Sequence, residues 1–281
     1  MSTASCCRML EALLAAAFGL LIGSFLNVCI YRWPRDLSVV RPRSRCPECE
    51  APIAWYDNIP VLSFGVLGGR CRRCRYAIPL RYPVVELLTA LCFGWFVYRF
   101  GFTIEAGRWC LFSALLITLG FADAETRILP DEFTLGGIGA GLLLALVSPV
   151  PDVSAHGVAW LFGVTPPERL LSLGEAVLGA VIPSGALWLG GAVFARIRHK
   201  EGLGFGDVKM TAMLGAFLGL KGALLTLAIG STLGSVIGLA YLTITRKDAG
   251  SYELPLGTFL AAAGLLYAFF GQQLSAWYAG L

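Results

Sequence analysis

The sequence predicts an all-α, polytopic membrane protein with about eight transmembrane helices and a cytoplasmic loop resembling a zinc ribbon. Three observations carry this. Hydrophobic residues make up 57% of the 281 and charged residues only 14%, whereas a soluble domain is near half apolar and a quarter charged. The apolar residues gather in stretches close to the roughly 20 residues that a helix needs to cross the hydrocarbon core. Between the first two stretches lies a polar, arginine-rich segment holding two Cys-x-x-Cys pairs.

The spans are expected at 9–31, 83–100, 108–124, 132–150, 174–195, 207–220, 223–244 and 256–276. The first lacks a short apolar core ending in a small-residue cleavage site, so it reads as a retained span, not a removed signal. This gives a first helix (1–31), a metal-binding loop (32–82) and a transmembrane core (83–281). The segment 151–173, with Pro151, Gly163, Pro166 and Pro167, reads as an irregular linker with a turn at 158–162. Lys and Arg concentrate on the cytoplasmic side of membrane proteins. Placing 32–82 inside gives that side ten cations in the loop, Arg127, the group Arg196, Arg198, Lys200 and Lys209, and the pair Arg246 and Lys247. The outside keeps Arg8, Arg99, Arg108, Arg169 and Lys221. Both termini are therefore expected outside.

Cys46-Pro-Glu-Cys49 and Cys71-Arg-Arg-Cys74 have the form of a four-thiolate zinc site. Each pair makes a knuckle with two sulfurs facing one point, and two knuckles complete a tetrahedron. Neighbouring arginines favour thiolates. A loop of this size has too little apolar content for its own core, so the metal is expected to be structural. Redox pairs or free thiols are the other readings, and a reducing cytoplasm disfavours disulfides. Cys6, Cys7, Cys29, Cys92 and Cys110 read as small buried hydrophobes.

Charged residues inside spans are functional candidates by default. Asp123 stands where the third span meets the cytoplasm and Asp207 where the sixth leaves it, 84 residues apart in sequence yet on one membrane face. Two facing carboxylates share one proton. The ionised carboxylate can take a proton from water while the protonated one polarises a peptide carbonyl and later donates to the amine. Gly204 and Gly206 permit unwound backbone before Asp207, where an extended peptide could pair. Glu125 and Lys209 flank the aspartates as candidate substrate contacts. Helix capping, or pairing with Arg127 and Lys209, is the plainer explanation of either aspartate taken alone. Asp131 and Glu132 are expected to begin the fourth span, and Glu86 to pair with an arginine of the loop. His156 and His199 read as solvated loop residues.

In order along the chain stand Gly23-Ser-Phe-Leu-Asn27, the Cys pairs, Trp55-Tyr-Asp-Asn58-Ile-Pro60 and Arg81-Tyr-Pro-Val-Val-Glu86. They are followed by Asp123-Ala-Glu125, Leu129-Pro-Asp131, Gly204-Phe-Gly-Asp207-Val-Lys209 and Pro255-Leu-Gly257. In this order the chain resembles the type IV prepilin peptidase family, the prepilin leader peptidase/N-methyltransferases. The resemblance places the family's catalytic aspartates on Asp123 and Asp207 and its zinc cysteines on Cys46, Cys49, Cys71 and Cys74. It implies cleavage of prepilins or type II secretion pseudopilins after a glycine preceding an apolar helix. It also implies methylation of the new N-terminus from S-adenosylmethionine, with no residue assigned to the methyl donor. It implies the bacterial inner membrane, with lipid and pilin-like substrates as partners and no nucleic acid. A peptidase without methyl transfer, a transporter with a zinc-stabilised loop and a non-enzymatic assembly factor are the alternatives.

Overall fold

A computed structural model describes residues 3–150, 154–163, 165–199, 204–245 and 254–279, with backbone alone for 3–6, 272 and 274–279. The chain divides into two compact units, Met1–Thr118 and Leu119–Leu281. The described residues are helical apart from connecting turns and two isolated bridges.

In the first unit α1 (Thr3–Arg32) lies along α3 (Arg81–Phe100). Glycines set the closeness of this seam. A Cβ on Gly19 would stand 2.8 Å from the Ala90 Cα, and one on Gly23 2.7 Å from the Glu86 Cα. Gly19 and Gly23 form a Gly-x-x-x-Gly pair. In lipid, where apolar side chains gain little by meeting each other, such small residues let helix backbones pack closely. The short α2 (Leu62–Val66) lies in the loop between them. Glu86 is buried and accepts the Val61 N–H at 2.7 Å. The Ser24 side chain also bonds this carboxyl, and its other partner is loop backbone, where an arginine was expected. That bond holds a γ-turn in which the Leu62 N–H reaches the Pro60 carbonyl and Val61 sits at φ 60°. A β-branched residue rarely adopts this conformation.

α4 (Ile104–Thr126) runs from the first unit into the second. There follow α5 (Asp131–Ala145), α6 (Ser154–Leu161), α7 (Glu168–Arg198), α8 (Phe205–Thr245) and α9 (Leu256–Ala279). α7 packs on α8, and α5 and α9 also lie against α8. Gly179 and Gly215 stand at the α7–α8 crossing, where a Cβ on Gly215 would overlap the Gly179 carbonyl. α8 is interrupted at Gly219, whose non-helical backbone (φ 76°) suits glycine and joins two helical parts.

Five helices among the described residues are long and apolar enough to cross a membrane. The expected count was eight. Two expected spans, 207–220 and 223–244, fall on the two helical parts of α8, which meet at the non-helical Gly219. The span at 132–150 is a 15-residue helix, shorter than a bilayer core. The span at 256–276 contributes a shorter apolar helix over Leu256–Gly271. The expected linker at 151–173 contains a helix, α6, over 154–161. Its first turn is tied down where the buried Glu175 accepts the Ala155 N–H at 2.6 Å. His156 is on this helix, 3.6 Å from Glu175. Cys29, Cys92 and Cys110 are buried as expected, whereas Cys7 is exposed. The side chain of Cys6 lies outside the described residues.

Candidate active site and metal centre

Asp123 occupies the last turn of α4, within a run that includes the fully buried Leu119 and Ala122, and is itself 5% exposed. The helix ends just beyond it, at a residue in the left-handed region, Arg127 (φ 57°), whose N–H returns to the Asp123 carbonyl at 2.9 Å. The Asp123 carboxyl has a defined partner that the sequence reading missed. Oδ2 accepts the Thr258 backbone N–H at 2.7 Å and the Thr258 hydroxyl at 2.9 Å. The same hydroxyl lies 3.1 Å from the Gly120 carbonyl. Thr258 belongs to the first turn of α9, so α9 is pinned to the end of α4 at the carboxylate. Its neighbour Gly257 explains how the backbone comes so near. A Cβ there would stand 3.1 Å from the Asp123 Cγ and Oδ2, and 3.1 Å from the Leu129 Cδ2.

Asp207 is the third residue of α8 and half-buried. Its N–H reaches the Gly204 carbonyl at 3.1 Å. It lies within electrostatic reach of Asp123, whose charge it feels. Leu129 stands against Gly257, which faces the Asp123 carboxyl, and against Gly206, the chain neighbour of Asp207, where a Cβ would stand 3.1 Å from its own Cβ. The two acids predicted from sequence are therefore brought together within one compact unit.

The flanking residues behave less uniformly. α8 begins at Phe205, so Gly206 is already helical and serves the close contact with Leu129; only Gly204 stands outside the helix. Lys209 donates to Asp131 at 2.6 Å and sits over the Phe205 ring, 5.0 Å from its centre. That ion pair ties the start of α8 to the first turn of α5, which Asp131 and Glu132 open as expected. Glu125 is exposed on the last turn of α4.

In the first unit Cys46, Cys49, Cys71 and Cys74 converge, their sulfurs all within 4.8 Å of one another. The Cys46 and Cys74 sulfurs are 3.7 Å apart. This is far beyond a disulfide bond. It matches the edge of about 3.8 Å in a tetrahedron of 2.3 Å metal–sulfur bonds. The two halves are built alike. In one, the Cys46 N–H reaches the Ala51 carbonyl, the Glu50 N–H returns to Cys46, and Glu50 sits at φ 52°. In the other, Cys71 pairs with Tyr76, the Arg75 N–H returns to Cys71, and Arg75 sits at φ 62°.

The N–H groups of Cys74 and Arg73 hold the Cys71 thiol down to about 6. Cys74 moves the other way, up to about 12. Its bond from Tyr76 is outweighed by desolvation and by the thiols of Cys49, Cys46 and Cys71. A fork from Arg72 to Asp57, at 2.7 and 2.9 Å, braces the segment between the pairs. It holds the Asp57 carboxyl below the usual range. Four sulfurs at this spacing fit one tetrahedral metal ion.

Residues 17–100 match the family model described as the bacterial peptidase A24 N-terminal domain, and residues 110–239 match the type IV leader peptidase family. A prepilin leader peptidase/N-methyltransferase of Pseudomonas aeruginosa is 34% identical over 92% of this chain and 90% of its own length. The chain belongs to the type IV leader peptidase family. Relatives bearing the same name are 34% identical in Stutzerimonas stutzeri, over 95% of this chain and 93% of the relative. In Neisseria gonorrhoeae the identity is 36% over 80% of each. No solved structure matches the chain. The leader peptidase match includes both aspartates, and the N-terminal match includes all four cysteines. Thr258 falls outside both. In an apolar span a threonine carries no signal of its own; the sole cue was its place directly after Pro255-Leu-Gly257.

Proposed function

We propose that this protein cleaves the leader peptide of prepilins or pseudopilins with Asp123 and Asp207, and methylates the N-terminus so released. The observation that carries the reading is the buried Asp123 carboxyl, fixed by Thr258, with Asp207 within electrostatic reach in the same unit. Two such carboxylates hold one proton between them. The ionised one takes a proton from water as the water oxygen bonds to the peptide carbon. The protonated one hydrogen-bonds the carbonyl oxygen, then gives its proton to the nitrogen as the C–N bond breaks. No covalent intermediate is required. Gly204, outside α8, leaves the backbone before Asp207 free to pair with the extended segment around the scissile bond, while Gly206 keeps Leu129 close beside it. Glu125 and Lys209 stand at the rim, and Lys209 acts there through its pair with Asp131.

Cys46, Cys49, Cys71 and Cys74 would hold zinc, which supplies a fixed crosslink to the loop 32–82 and takes no part in hydrolysis. The core at 83–281 carries the peptidase chemistry. S-adenosylmethionine supplies the methyl group; we assign no residue to it, and methylation rests on the names of the relatives. The distribution of Lys and Arg supports a bacterial inner-membrane protein with both termini periplasmic and the aspartates at the cytoplasmic face.

The test is to incubate the purified protein with a prepilin in detergent, with and without S-adenosylmethionine, and to read the products by mass spectrometry. A shortened pilin starting at its apolar helix, gaining one methyl group only with the donor, is expected. An uncut substrate would refute the peptidase reading. A cut product that never gains a methyl group would leave peptidase activity alone.

A further inference from the structure

The Asp123 carboxyl has two oxygens, and the protein treats them differently. Oδ2 receives two donors from one residue, the N–H of Thr258 at 2.7 Å and its hydroxyl at 2.9 Å. We propose that Thr258 is a positioning residue that occupies Oδ2 and thereby leaves Oδ1 as the oxygen through which Asp123 exchanges its proton. The inference rests on the two-aspartate reading above and adds which oxygen reacts and what selects it.

The Thr258 hydroxyl has one hydrogen and two acceptors in reach, Oδ2 at 2.9 Å and the Gly120 carbonyl at 3.1 Å. A charged acceptor forms the stronger and shorter bond. While Asp123 is ionised the hydrogen therefore lies on Oδ2. When Asp123 carries a proton on Oδ1, Oδ2 is a weaker acceptor, and the hydroxyl can turn toward Gly120 without the side chain moving. The backbone N–H stays on Oδ2 throughout. The carboxyl is thus held in one orientation through both protonation states of a turnover. Donors fixed in advance lower the reorganisation that a reaction requires. Gly257 completes the arrangement, because it brings the Thr258 backbone against the carboxyl where a side chain would intrude. Arg127 is a further charge felt at Asp123, and Asp207 in turn feels the charge of Asp123. Neither is part of the Oδ2 clamp.

Two substitutions separate this role from simple packing. Thr258→Val keeps the shape and the N–H but removes the hydroxyl; Thr258→Ser keeps the hydroxyl and loses a methyl group. Prepilin cleavage is measured for both at saturating and limiting substrate, together with thermal unfolding. The expected result is a fall in kcat of about ten- to hundredfold for Thr258→Val, the size of one lost hydrogen bond to a charged group. Its KM stays within about twofold, since orientation of the carboxyl acts on the chemical step. Thr258→Ser returns kcat to within about threefold of wild type. A Thr258→Val enzyme with wild-type kcat would overturn the proposal. So would a Thr258→Ser enzyme as impaired as Thr258→Val, or a loss confined to KM or to stability. An Asp123→Asn enzyme that still cuts would instead bring down the two-aspartate reading beneath it.

Discussion

Gly257→Ala adds one methyl group beside the Asp123 carboxyl. The new carbon would stand 3.1 Å from both Cγ and Oδ2 of Asp123 and 3.1 Å from the Leu129 Cδ2. Ordinary contact begins near 3.4 Å, so about 0.3 Å must be found on two sides at once. Leu129 is an apolar side chain and can yield. The carboxyl can retreat only by stretching the bonds from Thr258, now 2.7 and 2.9 Å. Overpacking of this kind costs about 1–3 kcal/mol. At about 1.4 kcal/mol per decade, that becomes a loss of about 5- to 150-fold if it falls on the reacting geometry. Cleavage of a purified prepilin by Gly257→Ala should therefore drop by that factor while the zinc content stays at wild type. Adding Leu129→Ala should restore only part of the rate, because it frees one side of the methyl group and leaves the carboxyl contacts. Wild-type cleavage by Gly257→Ala would refute the placement of α9 against Asp123. A loss of thermal stability with unchanged cleavage would refute the link between that contact and the chemistry.

Other perturbations have equally definite outcomes. Gly215→Ala should prevent accumulation of folded protein, because its Cβ would overlap the Gly179 carbonyl; Gly136→Ala, with open space at the Cβ position, should accumulate normally in the same membrane fractionation. Lys209→Met removes the pair with Asp131, whose side chain is 56% exposed. Pairs so exposed contribute under about 1 kcal/mol, so thermal stability should fall slightly and cleavage should stay within about fivefold of wild type. A larger loss of cleavage would give Lys209 a direct substrate role. Stripping metal with a strong chelator should remove one zinc per chain, measured by elemental analysis. It should also open 36–80 to limited proteolysis, because four thiolates without a cation lose their common partner; protection unchanged by the chelator would show that the loop folds without metal.

The candidate site was legible where its chemistry is rare in its surroundings. Asp123 and Asp207 are acids in apolar stretches, and a common membrane face is expected for them from Lys and Arg counts made without reference to them. The cysteines were legible because two knuckles at a given spacing have few other uses. What escaped notice depends on contacts distant in sequence. The bond between Asp123 and Thr258 spans 135 residues, and a threonine in an apolar helix resembles any other. The Gly179–Gly215 crossing is equally hidden, since a glycine reads alike whether it faces lipid or another backbone. Glu86 was expected to seek a cation, yet a strained turn offers it a backbone N–H, a partner no charge pattern signals. The two spans expected within α8 are the two helical parts that meet at Gly219, whereas α5 falls short of a bilayer's thickness, which an apolar stretch alone does not signal.

Replacing each aspartate by its isosteric amide tests the central claim most directly. Purified Asp123→Asn and Asp207→Asn, each confirmed folded and carrying zinc, would be compared with wild type for prepilin cleavage in detergent. The account predicts that both single variants lose cleavage by several orders of magnitude, because the amide keeps the shape and removes the shared proton. Cleavage near the wild-type rate by either one would contradict it.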